Sequence, residues 1–540
     1  MFSTVIDPSA ARYGFAAQPQ LPKNEMPEAE MPEEIVSRLI KVKLKLDGDL
    51  SRNISSFDAT TFADEEAEKL VAESSAKNDI NSPGVADIQS RCVCMMGRLF
   101  HAPESALGSC VGISCGGTSE AIMLAVVAMK KRWRNHRLAT GRSPDRPNII
   151  MSSATQVGWR KAARYFEIEE KLVYCTHERY TMDPTDAVAM VDENIIGICV
   201  ILGTEYTGEY EDVKAVNDYL VKTASTVPIH VDAAIGAFVV PFVDPAFEWD
   251  FRLERVASIN VSSHRYGFVS SCVDWVIWRS REYVPQELDF NNDFFDTNRA
   301  SFTLNNSTSA SHIVGQYYQL VRRGKKGYRT VMSFLTKMAD SLSDCLEMLG
   351  FIIMSKKSGL GVPVVAFRLP PDQERHYDEF SVADQLRGRG WVVPAFNMAP
   401  HAANLKLLRV VVREDFTLDS CRQFLADIKH SVSVLDQLMP VRALVSKPTR
   451  KRTQVGGLGT GSREEHVLTT LRRMQGPSSG LSELIASKVA VSTVIRRPRS
   501  RSRFLTLAAV LRQSTSTSCQ AMRTVSSAAG TTSLAACLHP

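Results

Sequence analysis

Residues 259–268 read INVSSHRYGF, an apolar run that breaks into Ser262-Ser263-His264 and then Arg265. A stretch of this kind reads as a buried strand whose carboxyl end carries polar side chains. Working outward, similar β-branched runs bounded by polar breakers occur at NIIMSSA (148–154), KLVYCT (171–176), IIGICVILGT (195–204), PIHVDAA (228–234) and ASINVSS (257–263). Helical patterns stand between most of them: EAIMLAVVAMKKRWRNHRL, GWRKAARYFE and EDVKAVNDYLVKT. Alternation of this type predicts an α/β fold with a buried, mainly parallel sheet and polar groups gathered at the strands' carboxyl ends. A long helical stretch is expected from about 309 to 350. VPVVAFRL, a helix near SVADQLRGRG, WVVPAF, LKLLRVVV and a helix ending near Leu438 then predict a smaller α+β domain. The expected division is an N-terminal arm (1–57), a large domain (58–350), a small domain (351–440) and a tail (441–540).

The chain has 540 residues, 44% of them apolar, enough for a sizeable core. No apolar run approaches the ~18 residues that span a bilayer, and the N-terminus lacks a signal-peptide pattern, so a cytoplasmic protein without a membrane partner is expected. The eleven cysteines show no zinc-knuckle spacing, and no metal site is expected. The net charge of +5 hides an asymmetry: residues 441–540 carry +13 and residues 1–440 carry −8. The tail is rich in Ser, Thr, Arg and Gly and is expected to be largely disordered; RRPRSRSR reads either as a solvated tail or as an anion-docking run, and nucleic acid is not an expected partner.

Three strand or helix ends carry chemistry. In GGTSEAIML (116–124), Thr118 and Ser119 open a helix, where hydroxyls and free N–H groups converge; the motif reads as an anion seat or as an ordinary N-cap with Glu120 in its first turn. Asp232, closing the strand in HVDAA, must face a cation or several donors. Ser262 and His264 close the next strand. A phosphate seat, a carboxylate for a protonated ring nitrogen and a Ser-x-His end followed by lysine form the arrangement that pyridoxal phosphate (PLP) requires.

Residues from about 30 to 438 resemble the glutamate decarboxylase family, PLP-dependent carboxy-lyases that make 4-aminobutyrate. The resemblance is carried by MPEEIVSRLIKVKLKLDGDLSRNISSF, SRCVCMMGRLFHAP, SEAIMLAVVAMKKRW, MVDENIIGICVILGTEYTGEYEDVKAVND, EWDFRL, WVIWR, QYYQLVRRGKKGYR and GWVVPAF. It implies a type I aminotransferase-like fold, with a mainly parallel seven-stranded sheet in the large domain, and a homodimer or higher homo-oligomer with active sites at the subunit interface. It also implies that Thr118 and Ser119 hold the cofactor phosphate, Gln156 lies against the ring, Asp232 meets the pyridine nitrogen, Ser262 and His264 contact the cofactor, and Ser307 reaches a partner's phosphate. Arg409 would bind a substrate carboxylate. Ser56 and Phe57 would line the substrate pocket.

The departures cluster around the chemistry. Arg265 stands where the family has its Schiff-base lysine, so PLP is expected to bind without a covalent bond to the chain. An arginine stays protonated far above neutral pH, so it presents almost no neutral guanidine at pH 7 and cannot do lysine's work. Glu205 replaces a small hydroxyl residue, Ile235 and Ala237 alter the DAASGG pattern, Ser263 and Asp274 replace glycines, and Asn81 stands where an aspartate is expected. Glu205 facing Arg265 would compensate its charge, which requires their charged groups within about 7 Å. Three functional classes follow: a decarboxylase of glutamate or another small carboxylated amino acid with impaired turnover, a non-catalytic PLP-binding or regulatory homologue, and an enzyme turned to a tailoring step on a carboxylated metabolite.

Overall fold

Runs such as Ile195–Ile201 and Val256–Ser262 are buried along their whole length, as strands covered on both faces must be. The computed structural model describes residues 26–27, 30–45, 49–57, 64–77, 82–104, 110–269, 273–288, 290–291, 300–301, 303–304, 310–371 and 375–438. All of these fall in one compact unit, Met1–Lys447. The tail read at 441–540 lies outside the described residues, as do Asn81 and Ser307.

The large sheet contains β1 (Val111–Cys115), β2 (Asn148–Ser152), β3 (Glu169–Val173), β4 (Ile195–Ile201), β5 (Ile229–Asp232), β6 (Val256–Ser262) and β7 (Asp274–Trp278), in the order β1-β7-β6-β5-β4-β2-β3. Only β7 runs against its neighbours: it pairs antiparallel with both β6 and β1, and the other pairs are parallel. Neither β1 nor β7 stood among the strand readings. The run read as 171–176 forms its strand two residues earlier, because Cys175 and Thr176 leave the edge to bond Ser153 Oγ and the Arg179 carbonyl.

The helices are α1 (Glu33–Leu44), α2 (Glu65–Lys77), α3 (Pro83–Leu99), α4 (Thr118–Ala139), α5 (Val157–Tyr165), α6 (Pro184–Ala189), α7 (Val213–Lys222), α8 (Val240–Val243), α9 (Ser263–Tyr266), α10 (Ala310–Met348), α11 (Glu379–Arg387) and α12 (Leu418–Gln437). On one face, Ile122, Val126 and Met129 of α4 and Trp159 of α5 bury against Ile149 and Met151 of β2. The alternate residue, Ile150, faces the opposite core with Val213, Val216 and Leu220 of α7, as the two-residue strand period demands. A Cβ at Gly197 would lie 2.5 Å from Met129 Sδ and 3.2 Å from the Pro228 carbonyl oxygen, so a larger residue there would make the Met129 side chain of α4 shift. α10 is two helical segments joined at Gly324, whose backbone (φ 55°, ψ −178°) is not helical.

After a two-strand ladder, β8 (Phe290–Asn291) with β9 (Ala300–Ser301), comes an antiparallel sheet of β10 (Ile352–Ile353), β11 (Val364–Arg368), β12 (Ala395–Asn397) and β13 (Lys406–Val411), ordered β10-β11-β13-β12. Tyr266 of α9 ties this sheet to the site end of the large one by donating toward the Pro363 and Val412 carbonyls (3.2 and 3.3 Å). Among the described residues, no helix is long and apolar enough to cross a membrane, and no group of three or more His, Cys, Asp or Glu is placed to hold a metal ion.

Candidate active site

The parallel strands β4, β5 and β6 end side by side, and their last residues meet the starts of α4 and α5. Asp232, the final residue of β5, is only 5% exposed and held by three donors. Its Oδ2 accepts from Trp159 Nε1 (2.7 Å), and its Oδ1 accepts from Asn260 Nδ2 (3.0 Å) and the Ala234 N–H (3.2 Å). A carboxylate only accepts, so Asn260 turns its amide NH₂ toward Asp232 and its oxygen toward His230 Nε2 (2.8 Å). His230 therefore donates from Nε2 and accepts at Nδ1 from the Ser258 hydroxyl (2.7 Å). Burial pushes the imidazole down to about 4, which keeps this relay neutral. None of Trp159, Asn260 and His230 was singled out from the sequence. Their spacing along the chain carries no signal; the pairing of Asp232 with Asn260 across β5 and β6 does.

Arg265, one turn beyond β6, extends into the cleft that Thr118, Gln156, Glu205, Asp232 and Ile235 also line. Its Nη2 lies 3.2 Å from Glu205 Oε1, well inside the limit set for compensation; the arginine side chain is 8% exposed and the glutamate 41%. The guanidinium lies over the Phe57 ring at 5.1 Å, and Arg409 lies over the same ring at 5.3 Å. Arg409 donates to the main-chain carbonyls of Glu205 and of Ser55 (2.9 Å to the latter), joining β13 to the cleft wall. The Ser56 carbonyl is held by Arg413 Nη1 (2.8 Å). Buried Nε of Arg265 has no hydrogen-bond partner among the described residues. With the arginine in place the cleft retains about 20 Å³ of free space, roughly one water's worth.

Gln156 caps α5, accepting from the Gly158 N–H at 3.0 Å. A Cβ at Gly158 would lie 2.6 Å from Gln156 Oε1, so a side chain there would displace the Gln156 cap. Thr118, Ser262 and His264, which the resemblance assigns to the cofactor, are gathered around Asp274. Its Oδ2 accepts from Thr118 Oγ1 (2.5 Å) and Ser262 Oγ (2.9 Å), while Oδ1 lies 3.1 Å from His264 Nδ1. Asp274 is fully buried.

Residues 68–370 match the model of the pyridoxal-dependent decarboxylase conserved domain. The chain belongs to that family. It is 42% identical over 472 residues to glutamate decarboxylase 1 of Arabidopsis thaliana, covering 86% of this chain and 91% of that one. It is 44% identical over 439 residues to the glutamate decarboxylase of Solanum lycopersicum (80% and 86% covered). Among solved structures, glutamate decarboxylase of Lactobacillus brevis superposes with a TM-score of 0.74 at 34% identity, covering 80% of this chain and 98% of that one. PLP is the cofactor the family implies for this member. The cleft fits it unevenly. Asp232, fixed by three donors, suits a protonated pyridine nitrogen, and Gln156 lines the same space. Two of the hydroxyls that suit a phosphate, those of Thr118 and Ser262, are bonded to Asp274, and a guanidinium stands where the resemblance places an amine.

Proposed function

We propose that this is a glutamate decarboxylase-like protein in which decarboxylation of L-glutamate is impaired or lost. The observation that carries this reading is the Arg265–Glu205 ion pair inside the cleft. An imine needs a neutral amine, and a guanidinium held in an ion pair offers none. Asp232 holds the place of a ring-nitrogen partner, and its three donors fix the aim of its carboxyl group. Bound PLP supplies an electron sink for carbon–carboxylate cleavage. The chain's own residues can orient that ring and the substrate, and lack the amine that would exchange substrate and product. The resemblance gives Arg409 the role of meeting a substrate carboxylate, so a small acidic amino acid is the proposed ligand class.

The assembly belongs to the same proposal: a homodimer or larger homo-oligomer in the cytoplasm, with the arm, large and small domains divided at 57 and 350. Helix α1 supports the assembly, since none of its residues is buried and Ile40 and Leu44 stand exposed on it. The test is CO₂ release from L-glutamate by PLP-loaded protein, beside Arg265→Lys. The parent is expected to run at least ~10³-fold below a lysine-bearing relative, with partial recovery in the variant. Borohydride should fix no cofactor at residue 265 of the parent. Turnover within tenfold of the relative would sink the proposal.

A further inference from the structure

Asp274 is the first residue of β7 and lies in register with Ser262, the last of β6, and with Cys115, the last of β1. The link from Cys115 to Thr118 leads directly into α4. A side chain at position 274 is therefore delivered by the backbone into the corner where the end of β6 and the start of α4 meet. In this chain it is a carboxylate, and it takes hydrogen bonds from two of the corner's three hydroxyls, Thr118 and Ser262 but not Ser119, and faces His264 Nδ1. The start of α4 is served by a second carboxylate: Glu120 accepts from the Gly116 N–H (2.6 Å) and the Leu304 N–H (2.8 Å). The Thr118 and Ser262 hydroxyls would both suit an anion, and here a carboxylate of the protein itself takes them first.

We infer that Asp274 is a specificity-determining residue that fills the phosphate corner, so that a pyridine-type ligand, whose ring enters the cleft only as the Arg265 side chain moves aside, gains nothing from a phosphate ester. Two effects act together. An incoming dianion loses the donors already spent on Asp274, and it meets the charge of a buried carboxylate a few ångströms away. His264 is the ion-pair partner of Asp274 among the described residues, and a single imidazole does not offset both anions. The ring side is untouched, because Asp232 and its donors belong to β5, β6 and α5 and share no hydrogen bond with Asp274. The inference is independent of the missing lysine, since it concerns the phosphate and not the aldehyde.

The test uses pyridoxine and pyridoxine 5′-phosphate, which carry an alcohol in place of the aldehyde and cannot form an imine with any residue. Affinities of the full-length protein for both are measured by calorimetry, with Asp274→Gly and Asp274→Asn alongside. The parent is expected to favour the phosphate ester by less than tenfold. Asp274→Gly, which opens the corner, is expected to raise affinity for the ester by about 100-fold, the worth of two charge-assisted hydrogen bonds, with pyridoxine unchanged. If the glycine variant fails to fold, Asp274→Asn keeps the shape and removes the charge, and a gain of about tenfold for the ester alone is expected. A parent preference of tenfold or more for the ester overturns the inference. So does an unchanged ester affinity in the folded glycine variant or, where that variant does not fold, in the asparagine one. Arg265→Lys should leave the ratio of the two affinities as it is in the parent, which separates this result from the fate of the decarboxylation proposal.

Discussion

At the scale of the residue, Arg265 is a buried cation with one carboxylate partner that is itself partly in solvent. Removing Glu205 leaves the charge behind, so Glu205→Gln should cost about 1–3 kcal/mol. A double-mutant cycle with Arg265→Met, read by urea unfolding, should return a coupling of about 1 kcal/mol. A coupling indistinguishable from zero would mean that the two departures are unrelated. This pairing was legible in the sequence because both residues broke a recognisable pattern near the same strand ends. The holders of Asp232 were not, since Trp159 and His230 occupy ordinary helix and strand positions and become a network only when β5, β6 and α5 are assembled. Asp274 was visible as a replaced glycine, but not what it touches, because β7 had not been read as a strand and its direction decides where the side chain goes.

At the scale of the element, the strands read most accurately are those buried on both faces, where a continuous apolar run is forced. The edge strand β3, paired only with β2, slipped by two residues because nothing beyond it fixes its start. The break in α10 offers a direct check. A Cβ at Gly324 would meet nothing within 4 Å, yet its backbone lies in a region open essentially to glycine. Gly324→Ala should therefore lose about 1–3 kcal/mol in urea melts despite ample space.

Two buried groups give β4 and β5 opposite responses to pH. His230 in β5 is lowered from 6.5 to about 4 by burial, so the stability it contributes is full above pH 6.5 and is lost as pH falls through about 4. Glu211, which accepts from the Ile201 and Met182 N–H groups, is raised by burial from 4.5 to about 7, so its contribution is full below pH 4.5 and is lost as pH rises through about 7. In thermal melts, the deficit of Glu211→Gln relative to the parent should shrink between about pH 5 and about pH 8, and that of His230→Asn should shrink between about pH 7 and about pH 4.5. Parallel curves for parent and variant would refute either assignment.

At the scale of the whole molecule, both sheets and their covering helices close by α12, which ends at Gln437. Truncation after Leu438 should leave the melting temperature within about 2 °C of the full chain, since that is the shift expected from well under 1 kcal/mol in a protein of this size. Deleting residues 1–45 removes α1 and should weaken self-association, measured by sedimentation across a dilution series; an unchanged dimer constant would remove α1 from the interface. The two-part architecture was readable because helix and strand signals alternate up to about 300 and change character after α10.

The lone antiparallel strand also has a meaning for the history of the chain. Because β7 presents position 274 to the ligand corner from a rigid register, a change there alters the chemistry without moving the scaffold, and position 265 behaves in the same way at the end of β6. Codons for Gly and Asp, like codons for Lys and Arg, can lie a single base apart. The distance between this cradle and the family pattern is thus short in nucleotides at both positions. A mutagenised library selected for cofactor retention should return substitutions at 274 early, and one selected for turnover should return them at 265.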